Sequence, residues 1–167
     1  MSIVKLDELT NVYTLAYAEQ LVGDFLQKAV SNKGVVVSAT LDVDYLQQIN
    51  DEYGWEAGDH VLRYITTVCK EYSPIVTRND DEITVIWKDV PMEQGVTEAT
   101  ALFKRIQTST IDWNGEQIDV NVSMGITHNH EGEVHTLKEL IATAVTALSK
   151  CKDKGRNRFI MDVAPYL

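Results

Sequence analysis

Apolar and polar positions follow two periods along this chain, and the switches between them lay out an order of elements. Residues 15–30 place Leu15, Val22, Leu26 and Ala29 on one face, widened by Leu21 and Phe25, at the spacing of an amphipathic helix. Asn32-Lys33-Gly34 breaks that pattern, and 35–42 then reads as a buried strand, near-continuously apolar and bounded by glycine. A short helix is predicted over 45–52 and a second over 57–71, where Val61, Leu62, Ile65 and Val68 recur at helical spacing. Pro74 ends it, and short strands at 75–77 and 83–87 face each other across 78–82. A helix follows over 97–107 with Ala101, Leu102 and Ile106 inward. Strands at 111–113 and 117–126 flank Asn114-Gly115, a strong hairpin signal. Leu137, Leu140, Ile141, Ala144 and Leu148 give a helix over 136–151; Gly155 closes it, and 158–161 makes a last strand.

This order mixes crossovers with hairpins, which predicts an α+β, α/β-like fold: a mixed central sheet covered by helices. No internal repeat or linker interrupts it. A chain of 167 residues with 44% hydrophobic content fits one domain, read as a lead-in at 1–14 and a core at 15–167.

Composition narrows the partners. A net charge of −10 argues against general affinity for nucleic acid or an anionic membrane, both of which reward basic patches. Cys69 and Cys151 stand apart in helical segments without metal spacing, as reduced thiols would. The first ten residues carry neither a long apolar run nor a cationic leader, and no stretch approaches the roughly 20 apolar residues of a membrane helix. The expected setting is cytoplasmic.

Chemistry concentrates where the 35–42 strand ends. Asp42 and Asp44 close it, with Asn50 and Asp59 beyond. Carboxylates at a strand end suit Mg²⁺, which takes oxygen ligands and keeps waters and substrate phosphates in its shell. Asn50 offers a donor and an acceptor and Asp59 only acceptors, so together they match a purine edge. Taken alone, Asp42 and Asp44 also fit turn carboxylates. His128, His130 and His135 lie in a polar segment without the spacing of a zinc site and read as solvated.

The stretch LDVDYLQQINDEYGWEAGD, residues 41–59, resembles the first signature of the GGDEF family, the diguanylate cyclases, whose pattern is roughly D-[IV]-D-x-F-K-x-I-N-D-x-x-G-H-x-x-G-D. Asp42, Val43, Asp44, Ile49, Asn50, Asp51, Gly54, Gly58 and Asp59 fall on it without a gap. Gln47 stands where Lys is usual and Trp55 where His is usual. Asn79-Asp80-Asp81-Glu82-Ile83 occupies the family's name motif, keeping Asp81 and Glu82 but losing both glycines. The run from Ala147 to Asn157 resembles A-L-Y-x-A-K-x-x-G-R-N, and Val122-Ser123-Met124-Gly125-Ile126 resembles V-S-x-G-I. Two elements are weaker. Of the opening D-x-L-T-G-L-x-N-R only Asp7, Leu9 and Thr10 remain, and Lys70 and Ser73 fill the charged positions of the inhibitory R-x-x-D motif, so feedback by the dinucleotide is not expected there.

The resemblance implies a palm-like sheet with a βαββαβ kernel over nearly the whole chain. It also implies roles: Mg²⁺ or Mn²⁺ held by Asp42, the Val43 carbonyl and Glu82; Asp42, Asp81 and Glu82 as catalytic carboxylates; guanine on Asn50 and Asp59. Tyr45 and Leu46 would adjoin the nucleotide, with phosphates on Lys152 and Arg156. The substrate would be GTP, condensed by two subunits face to face into cyclic di-GMP. No sensor or dimerisation segment is read from the sequence, so pairing would need a partner, a high concentration or a further assembly.

The turn at 79–82 leaves more than one function open. Asn and Asp tolerate positive φ, so the hairpin can form. Their side chains nevertheless fill room that glycine leaves for a ligand. Asp80 also brings a negative charge toward a triphosphate. Two unit charges about 4 Å apart repel by roughly 1 kcal/mol in water and about 4 at an effective dielectric of 20, enough to slow turnover tenfold or more. The alternatives are an active cyclase, a GTP-binding or protein-binding regulatory module, and altered nucleotide chemistry. Trp55 caps the base pocket or packs as a half-buried aromatic.

Overall fold

The computed structural model of this chain describes residues 3–129, 134 and 136–163. A two-residue strand, β1 (Tyr13–Thr14), leads into helix α1 (Leu15–Asn32), whose first turn is capped by the Thr14 hydroxyl accepting from the Tyr17 N–H at 3.3 Å. Lys33, in the left-handed region at φ 61°, ends α1 by donating its N–H to the Ala29 carbonyl. Strand β2 (Val36–Val43) follows, then α2 (Leu46–Tyr53) and α3 (Trp55–Lys70), joined only by Gly54 at φ 91°. The hairpin β3 (Ile75–Asn79) and β4 (Glu82–Lys88), helix α4 (Met92–Gln107), strands β5 (Thr110–Trp113), β6 (Glu116–Asp119) and β7 (Val122–His128), helix α5 (Leu137–Asp153) and strand β8 (Phe159–Met161) complete the order.

The main sheet runs β1-β3-β4-β2-β7-β8. Its four central strands are antiparallel to their neighbours and the two edge strands pair parallel, so the sheet is mixed. The βαββαβ kernel consists of β2, α2 with α3, β3, β4, α4 and β7. The fold is the α+β palm that the element order predicts.

Alternation along the strands decides where each helix packs. Val37, Ala39, Leu41 and Val43 of β2, Ile83, Val85 and Trp87 of β4, and Val122, Met124 and Ile126 of β7 join one core with residues of α2, α3 and α4. Val36, Ile75 and Ile86 join a second core with Ala18, Val22 and Leu26 of α1 and Leu137 and Leu140 of α5. The interleaved positions of the α5 face are small or polar: Ser38, Thr40, Thr84, Ser123 and Thr127, all buried. Gly125 lies among them. A Cβ built there would stand 2.0 Å from the Ala144 carbonyl oxygen and 2.6 Å from the Leu148 nitrogen, so α5 rests its backbone directly on β7.

The structure departs from the sequence reading at several places. The single strand expected over 117–126 is two: β6 pairs with β5 in a separate two-stranded sheet, and the chain then crosses to lay β7 between β2 and β8. The Asn114-Gly115 turn forms as expected, at φ 50° and 85°. Helix α4 starts at Met92, after Pro91, rather than near 97; Gly95 lies inside it where a Cβ would meet Val37 at 2.6 Å, and Ala101, expected inward, is exposed while Ala99, Leu102 and Ile106 are buried. The segment before residue 15 contributes β1 and the buried Val12; its strand is too short for periodicity to reveal. His128 is a buried β7 residue rather than a solvated loop residue, while His130 and His135 lie outside the described residues.

Gly125→Ala is expected to destabilise the fold by about 2 kcal/mol, since both opposing atoms are backbone and cannot swing away. A lower midpoint in chemical denaturation, with unchanged slope, checks it.

Candidate functional site

The last register pair of β2 and β4 is Leu41 with Ile83, and the next positions are Asp42 and Glu82. Both project to the α5 face, one on each of two adjacent strands. Helix α5, brought close at Gly125, ends its last turn over them: Lys152 Nζ lies 2.5 Å from Asp42 Oδ2. Asp42 Oδ1 is buried and has no hydrogen-bond partner among the described residues.

Burial pushes the Asp42 carboxyl above the usual carboxylate range; the Lys152 ammonium opposes this, and the charges of Asp81 and Asp44 add to it. Glu82 is raised as well, by burial first and then by the charge of Asp42, with Asp80 contributing and Lys152 opposing. The two carboxylates therefore crowd one another around a single ammonium. As a donor set, Asp42 Oδ1, the Glu82 carboxylate and the Val43 carbonyl suit Mg²⁺ or Mn²⁺, which commonly bind one or two carboxylates and complete the shell with water and phosphate. Among the described residues no three His, Cys, Asp or Glu side chains form a ready metal cage.

A second group forms across α2 and α3. Asn50 of α2 lies against Gly58 of α3 so closely that a Cβ at Gly58 would stand 1.8 Å from Asn50 Oδ1. That oxygen is buried and has no partner among the described residues. Asp59 follows Gly58 and is half-buried, so the sequence-predicted purine-reading residues flank the packing of Asn50 on Gly58. Trp55, at the first turn of α3, is 68% exposed, which removes the packed-aromatic reading. Gln47 donates to Asp51 Oδ1 at 2.9 Å along the outer face of α2.

The loop after α5 carries Arg156. Gly155, Arg156 and Asn157 all adopt positive φ, at 107°, 67° and 49°. Asp44 fixes this loop: its Oδ2 accepts from the Asn157 N–H at 2.9 Å and its Oδ1 from the Ser123 hydroxyl at 2.7 Å. Asp44 is therefore a tether, and both its oxygens are occupied. The Arg156 guanidinium lies over the Tyr45 ring at 5.0 Å. Leu46, the first residue of α2, is buried and offers packing. A cavity of about 360 Å³ beside Arg156 is lined by Asp44, Tyr45, Gln48 and Glu52, and does not include Asp42, Glu82, Asn50 or Asp59.

The hairpin is tight. Asn79 pairs with Glu82, Asp80 takes φ 54°, and both Asp80 and Asp81 are exposed. Arg78 braces it in a way the sequence reading missed: its Nε donates to the Asp80 carbonyl at 2.7 Å and its Nη1 to both Asp7 oxygens at 2.9 Å. Asp7 also accepts from the Thr10 N–H and hydroxyl. Partial burial raises the Asp7 carboxyl, but the Thr10 and Arg78 bonds outweigh it and the net shift is downward. The surviving Asp7 and Thr10 of the opening motif were the available signal. Ser73, at the inhibitory-motif position, donates to the Ile86 carbonyl and accepts from the Ile75 N–H at 3.1 Å, as a buried strand cap.

The palm sheet, with carboxylates on neighbouring strands and cationic residues after the last helix, is the architecture of a nucleotide-cyclase domain. A family model described as the diguanylate cyclase, GGDEF domain matches residues 4–158, and the chain belongs to that family. Diguanylate cyclase A of Treponema denticola is 29% identical over 126 residues, covering 71% of this chain and 33% of that protein. The chain thus spans about a third of that relative's length. The GGDEF domain of DgcB from Caulobacter crescentus, solved in complex with c-di-GMP, matches at TM-score 0.84 and 22% identity over 96% of this chain and 97% of that one. The diguanylate cyclase SiaD of Pseudomonas aeruginosa, solved with its activator SiaC, matches at TM-score 0.84 and 21% identity over 94% and 61%. Among the described residues no helix is long and apolar enough to cross a membrane.

The raised Asp42 carboxyl predicts a stability effect. A group whose pKa is higher folded than unfolded favours the fold at low pH, and that contribution is lost as pH rises through the folded value. Asp42→Asn should therefore raise the thermal unfolding midpoint at neutral pH. The gain should vanish as pH falls through the carboxylate range. Melting curves across pH 4 to 8 check it, and a gain that persists at the acid end contradicts it.

Proposed function

We propose that this domain binds GTP with Mg²⁺ or Mn²⁺ and condenses two GTP molecules to cyclic di-GMP when two copies meet face to face. The observation that carries the proposal is that, among the described residues, five buried side-chain oxygens lack a hydrogen-bond partner: three are hydroxyls of the sheet, on Ser38, Thr77 and Thr127, and the other two are Asp42 Oδ1 and Asn50 Oδ1. Buried polar atoms without partners cost stability and are rare in folded proteins. Of the last two, one belongs to a carboxylate beside a second carboxylate, where a cation satisfies it. The other is an amide oxygen beside Asp59, where an N–H donor satisfies it, and guanine carries such donors on N1 and N2.

In this reading Asn50 and Asp59 select the base, Asp42, Glu82 and the Val43 carbonyl hold the metal, and Lys152 and Arg156 hold phosphates. When bound, the metal would lower the pKa of an attacking 3′-hydroxyl and neutralise phosphate charge. The chain's own residues supply orientation: the Gly54 joint fixes Asn50 against Gly58, and the Asp44 tether fixes Arg156. Exposed Asp81, at the hairpin tip, adjoins the metal carboxylates. Trp55, free of other packing, covers the base. Productive pairing requires a second copy or a protein partner. The proposed setting is cytoplasmic.

A second reading is supported by one feature. The Asp80 charge reaches the site, where it helps raise Glu82. Against a triphosphate the same charge is repulsive, which favours a domain that binds GTP, or a regulatory protein, without turnover.

Incubation with GTP and Mg²⁺ or Mn²⁺, followed by product chromatography beside calorimetric titration, separates the two. Cyclic di-GMP that disappears in Glu82→Gln supports the enzyme; tight GTP binding without product supports the regulator; absence of both defeats each. Asn79→Gly with Asp80→Gly is expected to raise turnover at least tenfold if the Asp80 charge is limiting, and an unchanged rate removes the hairpin as the cause. Gly58→Ala should weaken GTP binding about tenfold by evicting the Asn50 amide. Calorimetry read with a melting curve tests this, since equal affinity in a folded variant contradicts the Asn50 role.

A further inference from the structure

We propose that Lys152 is the resident cation of the carboxylate pair and makes metal entry conditional on a triphosphate. The inference rests on the reading above and adds a binding order to it. Its ammonium occupies Asp42 Oδ2 at 2.5 Å, leaving Oδ1 buried beside it. A divalent ion on Oδ1 would face that ammonium across a single carboxyl group, with twice the repulsion of two unit charges. Metal binding therefore requires the ammonium to leave.

The helix determines where it can go. Lys152 is in the last turn of α5, 34% exposed, on a side chain with four rotatable carbons. The Asp42 side chain is 15% exposed and held in the sheet, so the lysine is the partner able to move. A triphosphate at the mouth of the site offers the ammonium a second anion. Without one, departure strands Lys152 in water and Asp42 with its dication alone. With one, the same movement removes the positive charge facing the metal position and gains a phosphate contact. Metal and triphosphate then bind with positive coupling, and linkage makes the coupling reciprocal. The site would thereby reject free metal and nucleotides too short to reach the lysine.

Lys150 supplies a control. It lies two positions earlier on α5 and pairs with Asp162, so it contributes the same charge to the region without touching Asp42. The experiment measures Mn²⁺ binding to the full chain by the paramagnetic signal of free Mn²⁺, with and without a non-hydrolysable GTP analogue. In the wild-type protein the analogue should tighten Mn²⁺ binding by about 5- to 150-fold. Lys152→Met should bind Mn²⁺ alone about tenfold tighter than wild type, and the analogue about tenfold weaker. Lys150→Met should match wild type, and Lys152→Arg, which keeps the charge, should restore weak binding of Mn²⁺ alone.

The result that overturns the inference is wild-type binding of Mn²⁺ with the analogue while Lys152→Met, folded by its melting curve, gains no affinity for Mn²⁺ alone. Equal tightening in Lys150→Met also overturns it, by assigning the effect to general charge. Absence of Mn²⁺ and analogue binding in every variant overturns it together with the proposed function, and so distinguishes the two failures.

Discussion

The geometry of the carboxylate end depends on a side chain that is absent. Gly125 lets the backbone of α5 touch β7 at Ala144 and Leu148, where any Cβ would collide. The sheet face beneath α5 is kept shallow to match, with Ser38, Thr40, Thr84, Ser123 and Thr127 between the strands' larger residues. Close approach fixes the height and direction of the helix, and its last turn therefore arrives over Asp42 and Glu82. Lys152 meets Asp42 because of where α5 rests, and Asp44 then ties the following loop back to the sheet through Asn157 and Ser123. Packing, charge placement and loop position follow from one backbone contact.

The charge placement works against the fold. Two carboxylates on neighbouring strands, both pushed up first by burial and then by acidic neighbours, Asp81 and Asp44 for Asp42 and Asp42 and Asp80 for Glu82, are held with a single lysine close by. In a chain already carrying a net charge of −10, such crowding has no structural benefit. Perturbed titratable groups brought together against their own solvation are a mark of functional sites. The orphaned oxygens of Asp42 and Asn50 point the same way, since an apolar residue at either place would remove the cost.

The fold was legible wherever burial is one-sided. Helical spacing found the cores of α1, α3 and α5, and the Asn114-Gly115 signal found its turn, because these patterns are local. The crossing of 117–126 between two sheets was not legible, since β6 and β7 are both extended and alternation does not say which sheet a strand joins. The start of α4 was hidden for a related reason: Gly95 reads as a breaker until Val37 is seen to need its space. At the site, the spacing of Asp42, Asn50 and Asp59 carried the family resemblance, while the division of labour between Asp42 and Asp44 did not show. Both are acidic and lie two residues apart. The hydrogen bonds from Ser123 and Asn157 mark Asp44 as the tether, while Asp42 is the carboxylate paired with Lys152.

The altered hairpin separates architecture from chemistry. Asp80 accepts φ 54°, a conformation Asp tolerates, and the register of Asn79 with Glu82 is that of an intact two-residue turn. Arg78 holds the turn from behind through the Asp80 carbonyl and is itself anchored on Asp7, so the lost glycines are not needed to shape it. What glycine would have given is open space and neutrality on the side facing the carboxylates. The bare turn survives in this sequence, and the cost of its substitution falls on whatever anion approaches. Because the Asp80 charge already reaches Glu82, that cost acts on the same carboxylate that Lys152 steadies. The balance among the charges of Asp42, Glu82, Asp80 and Lys152, rather than the shape of the backbone, is therefore what the altered hairpin changes at this end of the sheet.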